Sequence, residues 1–277
     1  ARPYAMQLGA SLLVTASLAR LDRNTSTREA RDTAHVALFL FGIVVLSGSN
    51  LIGMIWAGAA LLAMLALLPW TRLMTLVKQH ASLWLAAGGM LLLFGGYYLW
   101  TLTVGARASA AATTTLGSTL FVGYELLGFS GLGPGRLAMR SAGPAALRPY
   151  LAWLALYAVP TAILIGVALR QLLKCGNRRH LVVALCCCLP SGFLLAVGWV
   201  AHFRVLGRHF TPLVPVLMLL FTLGSSVLWA RRSSWARGVV LLFCALSLLS
   251  CLSLRFLPRH ERDDYRAAAA FAKNALR

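Results

Sequence analysis

Residues 33–70 read TAHVALFLFGIVVLSGSNLIGMIWAGAALLAMLALLPW, 38 residues without one Asp, Glu, Lys or Arg. A single helix of that length would run about 57 Å. That is nearly twice the roughly 30 Å hydrocarbon core of a bilayer. The tetrapeptide SGSN at 47–50 places turn-forming residues near the middle of the run. The stretch therefore reads as two apolar helices joined by a tight hairpin. A chain that places such a hairpin near its start belongs in a membrane.

The rest of the chain agrees. Of its 277 residues 59% are hydrophobic and only 12% charged, and a soluble domain carries about twice that charged fraction. Apolar runs bounded by charges or turn residues place spans at 3–19, 33–47, 51–70, 81–104, 150–169, 181–201, 210–230 and 239–254. The expected fold is all-α, a polytopic transmembrane helical bundle over 1–256. A long loop at 105–149 interrupts it. The stretch 257–277 is expected to begin a C-terminal soluble domain: Asp263 and Asp264 suit a helix start, and Tyr265, Ala269, Ala272 and Leu276 share one face. Because the chain opens on ARPYAMQ and stops on an Ala-rich helix, it reads as a segment of a longer protein.

The net charge is +19, from 26 Lys and Arg against 7 Asp and Glu. In a soluble protein that would point to nucleic acid. In a polytopic one it points to topology, because short cytoplasmic loops collect Lys and Arg. Four short connections (20–32, 71–80, 170–180 and 231–237) carry half of the 26 basic residues. Placing them in the cytoplasm puts the N-terminus of the segment, the long loop and the C-terminal tail outside it. The six cysteines lack metal spacing, and five of them fall in or near apolar helices, where buried thiols act as small hydrophobes.

The other 13 basic residues then lie outside, and two of them, both arginines, fall in a short loop on the side where positive charge is not favoured. Arg204 and Arg208, with His209, stand at the mouth of the run FRVLGRHFTPLVPVLM at 203–218. Arginine offers a planar, permanent cation suited to bidentate phosphate contacts. Pro212 and Pro215 are tolerable in a helix's first turns, and a helix N-terminus favours anions. The second constellation is FVGYELLGFSGLGPGRLAMR at 121–140. It holds Tyr124, Arg136, Arg140 and Glu125, the one acidic residue between Asp32 and Glu261. If helical, Arg136 and Arg140 share a face. The plainer reading of both sets is snorkelling arginines at the lipid surface. No paired carboxylates occur in a predicted outer loop before the tail, and no Walker A, GxSxG, HExxH or metal-ligand spacing occurs.

Several stretches, taken in order, resemble the GT-C-type polyprenyl-phosphate-dependent glycosyltransferases, in the branch of protein mannosyltransferases and aminoarabinose transferases. They are ARPYAMQLGASLLVTASLARL, YELLGFSGLGPGR, GRHFTPLVPVLMLL and HERDDYRAAAAFAKNAL. The resemblance implies a multi-pass enzyme of the bacterial inner membrane. Such an enzyme moves a sugar from a polyprenyl-phosphate donor to an extracytoplasmic lipid, glycan or protein acceptor. It implies donor-phosphate binding at Arg208 and a loop role for Tyr124 and Glu125. In that family an acidic base lies in the first large outer loop. Nothing here matches that loop, so the base is expected upstream of Ala1 and this chain alone is expected to be inactive. Some relatives use a divalent metal; no ligand set is visible here. The competing reading is a transporter or flippase for an anionic lipid or small anion. Pro160 and Pro190 would break spans for it, yet no charged residue sits mid-span.

Overall fold

The computed structural model describes residues 3–21, 29–104, 114–174, 178–200 and 205–260. Among them the chain is helical, with no strand. The α-helices are α1 (Pro3–Leu21), α2 (Glu29–Ser49), α3 (Leu51–Leu67), α4 (Trp70–Gln79), α5 (Ala81–Val104), α6 (Leu116–Leu126), α7 (Arg136–Ala142), α8 (Leu151–Lys174), α9 (Arg178–Val200), α10 (Val214–Ala230) and α11 (Ser234–Phe256). Short 3₁₀ segments lie at Phe129–Gly131, Gly143–Tyr150, Gly207–Leu213 and Pro258–His260. Each of the eight expected spans coincides with a helix. By length and apolarity, four described helices could cross a membrane, or five if α3 and α4 are one broken span. Several apolar helices compatible with a multi-pass membrane protein are therefore present.

The chain divides into two compact units. Ala1–Leu126 with Leu164–Val227 forms the first, and Leu127–Ile163 with Leu228–Arg277 the second.

In the first unit α2 packs on α1, α3 and α5, and α3 packs on α9. Its core draws Val14 and Leu18 from α1, Phe39 and Ile43 from α2, Trp56 and Met64 from α3 and Leu194 from α9. With lipid outside, close side-chain fit rather than water exclusion holds such helices together. The outward face of α5 shows the complementary pattern, with Leu85, Leu92 and Leu99 exposed as lipid-facing side chains would be.

The 33–70 hairpin is a hairpin, and polar side chains close it. Asn50 caps α3, its Oδ1 accepting the Gly53 N–H at 2.8 Å. The same oxygen accepts from Gln7 Nε2 of α1 at 2.7 Å. From α5, Tyr98 Oη donates to the Ser47 carbonyl at 2.8 Å. Asn50 and Tyr98 thus satisfy two backbone groups of the turn, and Gln7 from α1 orients the Asn50 side chain. Asn50→Ala removes the cap, worth about 1 kcal/mol. It also strands the buried Gln7 amide, worth about another 1 kcal/mol. We expect a lower melting temperature in detergent, whereas Asn50→Asp, which keeps both acceptors, should stay near the parent.

Two expected loops are not loops. Residues 71–79 lie in α4 (Trp70–Gln79), which turns 120° from α3 at Leu68–Pro69. Proline disfavours helix in the residue before it and ends α3 there. Leu73 and Leu76, three apart, bury one face of α4, while Arg72 and Lys78 occupy other positions, the pattern of a helix lying on a membrane surface. The 105–149 segment is likewise mostly helical where described, through α6, α7 and two 3₁₀ segments. The thiols of Cys188, Cys244 and Cys251, expected inside, lie on exposed helix faces. Lipid accepts a small apolar thiol as readily as a core does. Of the soluble-domain helix expected at 257–277, Pro258–His260 form a short 3₁₀ segment and residues 261–277 lie outside the described residues.

The second unit is organised around Tyr157 of α8. Its ring stacks on Phe243 of α11 at 5.7 Å and meets Phe129 edge-on at 4.9 Å. Its hydroxyl donates to the Leu127 carbonyl at 3.1 Å and lies 3.2 Å from Ser247 Oγ. Ser250 Oγ of α11 donates to the Gly128 carbonyl at 2.6 Å. The GFSGLGPG run is therefore laid along α11. Gly128 holds φ at +86°, in the left-handed region that glycine enters without strain. A Cβ on Gly131 would overlap the Ser250 carbonyl, and one on Gly135 would overlap the Arg259 carbonyl.

A candidate anion site beside Arg208

The approach to α10 explains how Arg208 is presented. Pro212 and Pro215 carry no N–H, so an α-helical ladder through this turn would leave the carbonyls of Arg208 and Thr211 without their donors. The chain instead runs as a 3₁₀ segment over Gly207–Leu213, and α10 begins at Val214. The Arg208 carbonyl takes the Thr211 hydroxyl at 2.7 Å. The His209 carbonyl takes the Trp56 indole N–H at 3.1 Å. The α-helix N-terminus expected beside Arg208 is thus displaced to Val214, and the prolines are the reason.

His209 is a fastening. Its backbone N–H donates to the Leu206 carbonyl at 2.9 Å. Its Nδ1 accepts the Leu206 N–H at 3.3 Å, which leaves the ring proton of neutral histidine on Nε2. Phe210 is buried in the first unit's core and pins the next turn.

Between these anchors Arg208 is exposed. Its guanidinium carbon lies 5.5 Å from the centroid of the Tyr4 ring, from α1. A cation–π contact with Tyr4 places the guanidinium over the ring, and its forked N–H donors suit a carboxylate or phosphate.

Glu125 comes to the same turn from α6. Gly207 is buried, and a Cβ there would overlap the Glu125 carboxylate. Upstream, the Val205 N–H donates to Thr114 Oγ1 at 3.1 Å. The Thr114–Val205 hydrogen bond, just before α6, and the close approach of Glu125 to Gly207 bring α6 beside the 205–213 segment. Tyr124, next along α6, is half-buried and stacks on Phe121 with ring centroids 5.6 Å apart.

Of the residues singled out in the sequence, Arg208, His209 and Glu125 converge on one turn, and Tyr124 adjoins them on α6. Arg204 lies outside the described residues. Arg136 and Arg140 stand one turn apart on α7, as their spacing predicted, but α7 belongs to the second unit. Sequence reading passed over Tyr4, Trp56, Thr114 and Gly207. An aromatic residue at the end of a span was the one signal available for Tyr4. Among the described residues no three His, Cys, Asp or Glu side chains are grouped as a metal ion would need. Compared with known proteins, the chain matches no family model, no curated protein and no solved structure.

Proposed function

We propose that this chain is the donor-binding membrane part of a polyprenyl-phosphate-dependent glycosyltransferase. In this reading its eight long helices cross the bacterial inner membrane, with the 47–50 turn and the 205–213 segment at the extracytoplasmic surface. Arg208 grips the phosphate of the lipid-linked sugar. As the glycosyl bond breaks, charge develops on the leaving phosphate, and a fixed guanidinium stabilises it without reorganising. Positioning supplies the rest of the acceleration. Glu125, pressed against Gly207, is assigned to holding the turn, so the chain is given the donor grip and no base.

One observation supports the reading most. Arg208 lies over the Tyr4 ring at a turn whose Arg208 and His209 carbonyls are occupied by Thr211 and Trp56. Those contacts fix the backbone that carries the guanidinium and leave the side chain to meet an incoming anion.

The test compares a polyprenyl phosphate with the matching polyprenol, added to the purified chain in detergent. The phosphate form should raise the melting temperature in a concentration-dependent way, and the alcohol should not. Equal shifts from both would mean that only the hydrocarbon is bound and would overturn the reading.

A further inference from the structure

The second unit contains a cleft of about 290 Å³ that the first site does not use. This is near the lower end of small-molecule pockets. Its walls are Leu132, Tyr150, Trp153, Leu249 and Leu257, and Arg259 stands at its polar edge. Trp153 lies in the first turn of α8, Leu249 lies in the second half of α11, and Leu257 directly follows α11. Both helices belong to segments long and apolar enough to span, so the cleft lies where spans end. Trp153, Leu249 and Leu257 are all exposed.

Arg259 is held in a fixed pose. Its Nη2 donates to the Gly131 carbonyl at 3.2 Å and to Ser253 Oγ at 3.0 Å. Its Nε donates to His260 Nε2 at 3.1 Å, and its guanidinium carbon lies 5.0 Å from the Tyr150 ring centroid. These partners are neutral, so they orient the cation without cancelling its charge. Burial and the Arg259 charge together push His260 below the usual histidine pKa, partly offset by a hydrogen bond to the Gly131 carbonyl. His260 thus stays an acceptor at neutral pH. The contact is intact above the ordinary histidine range and is lost as pH falls through the lowered value.

We infer that this cleft is a binding site for an anionic phospholipid, with the acyl chain along Trp153, Leu249 and Leu257 and the phosphate on Arg259. Two features carry the inference. An apolar trough at the end of two spans fits a chain that enters from the bilayer. A pre-oriented cation at its rim fits a head group with net negative charge. Neither feature alone selects a phospholipid; a free phosphate would not need the trough, and an apolar ligand would not need the arginine.

Brominated lipids test this, because bromine quenches tryptophan on contact. The chain is reconstituted in vesicles containing brominated phosphatidylglycerol or brominated phosphatidylcholine. The Trp153 signal is taken as the difference between the parent and Trp153→Phe. Phosphatidylglycerol should reach half-quenching at about a fivefold lower mole fraction than phosphatidylcholine. Arg259→Gln should equalise the two lipids, and Arg259→Lys should keep most of the preference. Leu249→Phe, which fills the trough and leaves Arg259 in place, should reduce quenching by both lipids. Excess inorganic phosphate should leave the signal unchanged. The proposal fails if the parent shows no lipid preference or no quenching of Trp153. It also fails if phosphate reverses the quenching, or if natively folded Arg259→Gln retains the preference.

Discussion

Arg208→Ala is expected to weaken binding of a polyprenyl phosphate by about 10- to 100-fold, the range set by losing one charge-assisted, bidentate contact. The melting temperature without lipid should barely change. The Arg208 side chain is exposed, and the surrounding turn is held by backbone contacts to Thr211, Trp56 and Leu206. Arg208→Lys should recover only part of the loss, because an ammonium is a point charge and cannot present two parallel donors. Tyr4→Ala should cost less, about fivefold, since it removes the cation–π contact and leaves the charge. Binding of the polyprenol should be the same in all of these variants. If Arg208→Ala binds polyprenyl phosphate as the parent does, the arginine is a lipid-surface residue and the donor site lies elsewhere.

Gly131→Ala should be among the most damaging single-methyl changes in the chain. Its Cβ would overlap the carbonyl oxygen of Ser250 in α11. A side-chain obstacle could rotate away, but a backbone carbonyl in a helix cannot. Overpacking of this kind costs about 1–3 kcal/mol, and the rigid obstacle places it at the upper end. The displaced loop also carries Gly128, whose carbonyl accepts from Ser250 Oγ, so a hydrogen bond is strained with it. A control comes from the same helix. Gly238 of α11 has nothing near its would-be Cβ. There Ala should be neutral, or stabilising by up to about 1 kcal/mol through helix propensity. Thermal unfolding in detergent should separate the two substitutions clearly. Equal melting temperatures would mean that the GFSGLGPG loop does not lie along α11 as described.

The legibility of the chain was uneven, and the reasons are physical. The 33–70 hairpin was readable because a bilayer sets a length limit and the run exceeds it. The positions of the other long helices followed from the same solvent argument, since lipid demands long, uninterrupted apolar helices. Short polar stretches carried less. Residues 71–80 read as a charged connection, yet Leu73 and Leu76 bury one face of a surface helix. Two leucines three apart are too weak a period to stand out in ten residues. Gly131 and Gly135 stand where α11 and the Arg259 backbone come too close for a side chain, a contact no local sequence pattern announces.

The candidate site divides in the same way. Arg208, His209 and Glu125 were singled out by local chemistry: cations on the side where topology disfavours them, and a lone acid in a long loop. Their convergence was not readable, because it depends on contacts between residues 82 and 204 positions apart in sequence, Glu125 to Gly207 and Tyr4 to Arg208. The sequence by itself therefore determined a helical, membrane-type chain and which residues were chemically unusual, through composition, period and charge. Only the tertiary structure decided that the prolines convert the start of α10 into a 3₁₀ turn, that Tyr4 and Trp56 frame it, and that Arg136 and Arg140 belong to a different unit. Those outcomes depend on which helix faces meet, and an apolar helix in lipid presents several faces that one sequence cannot rank.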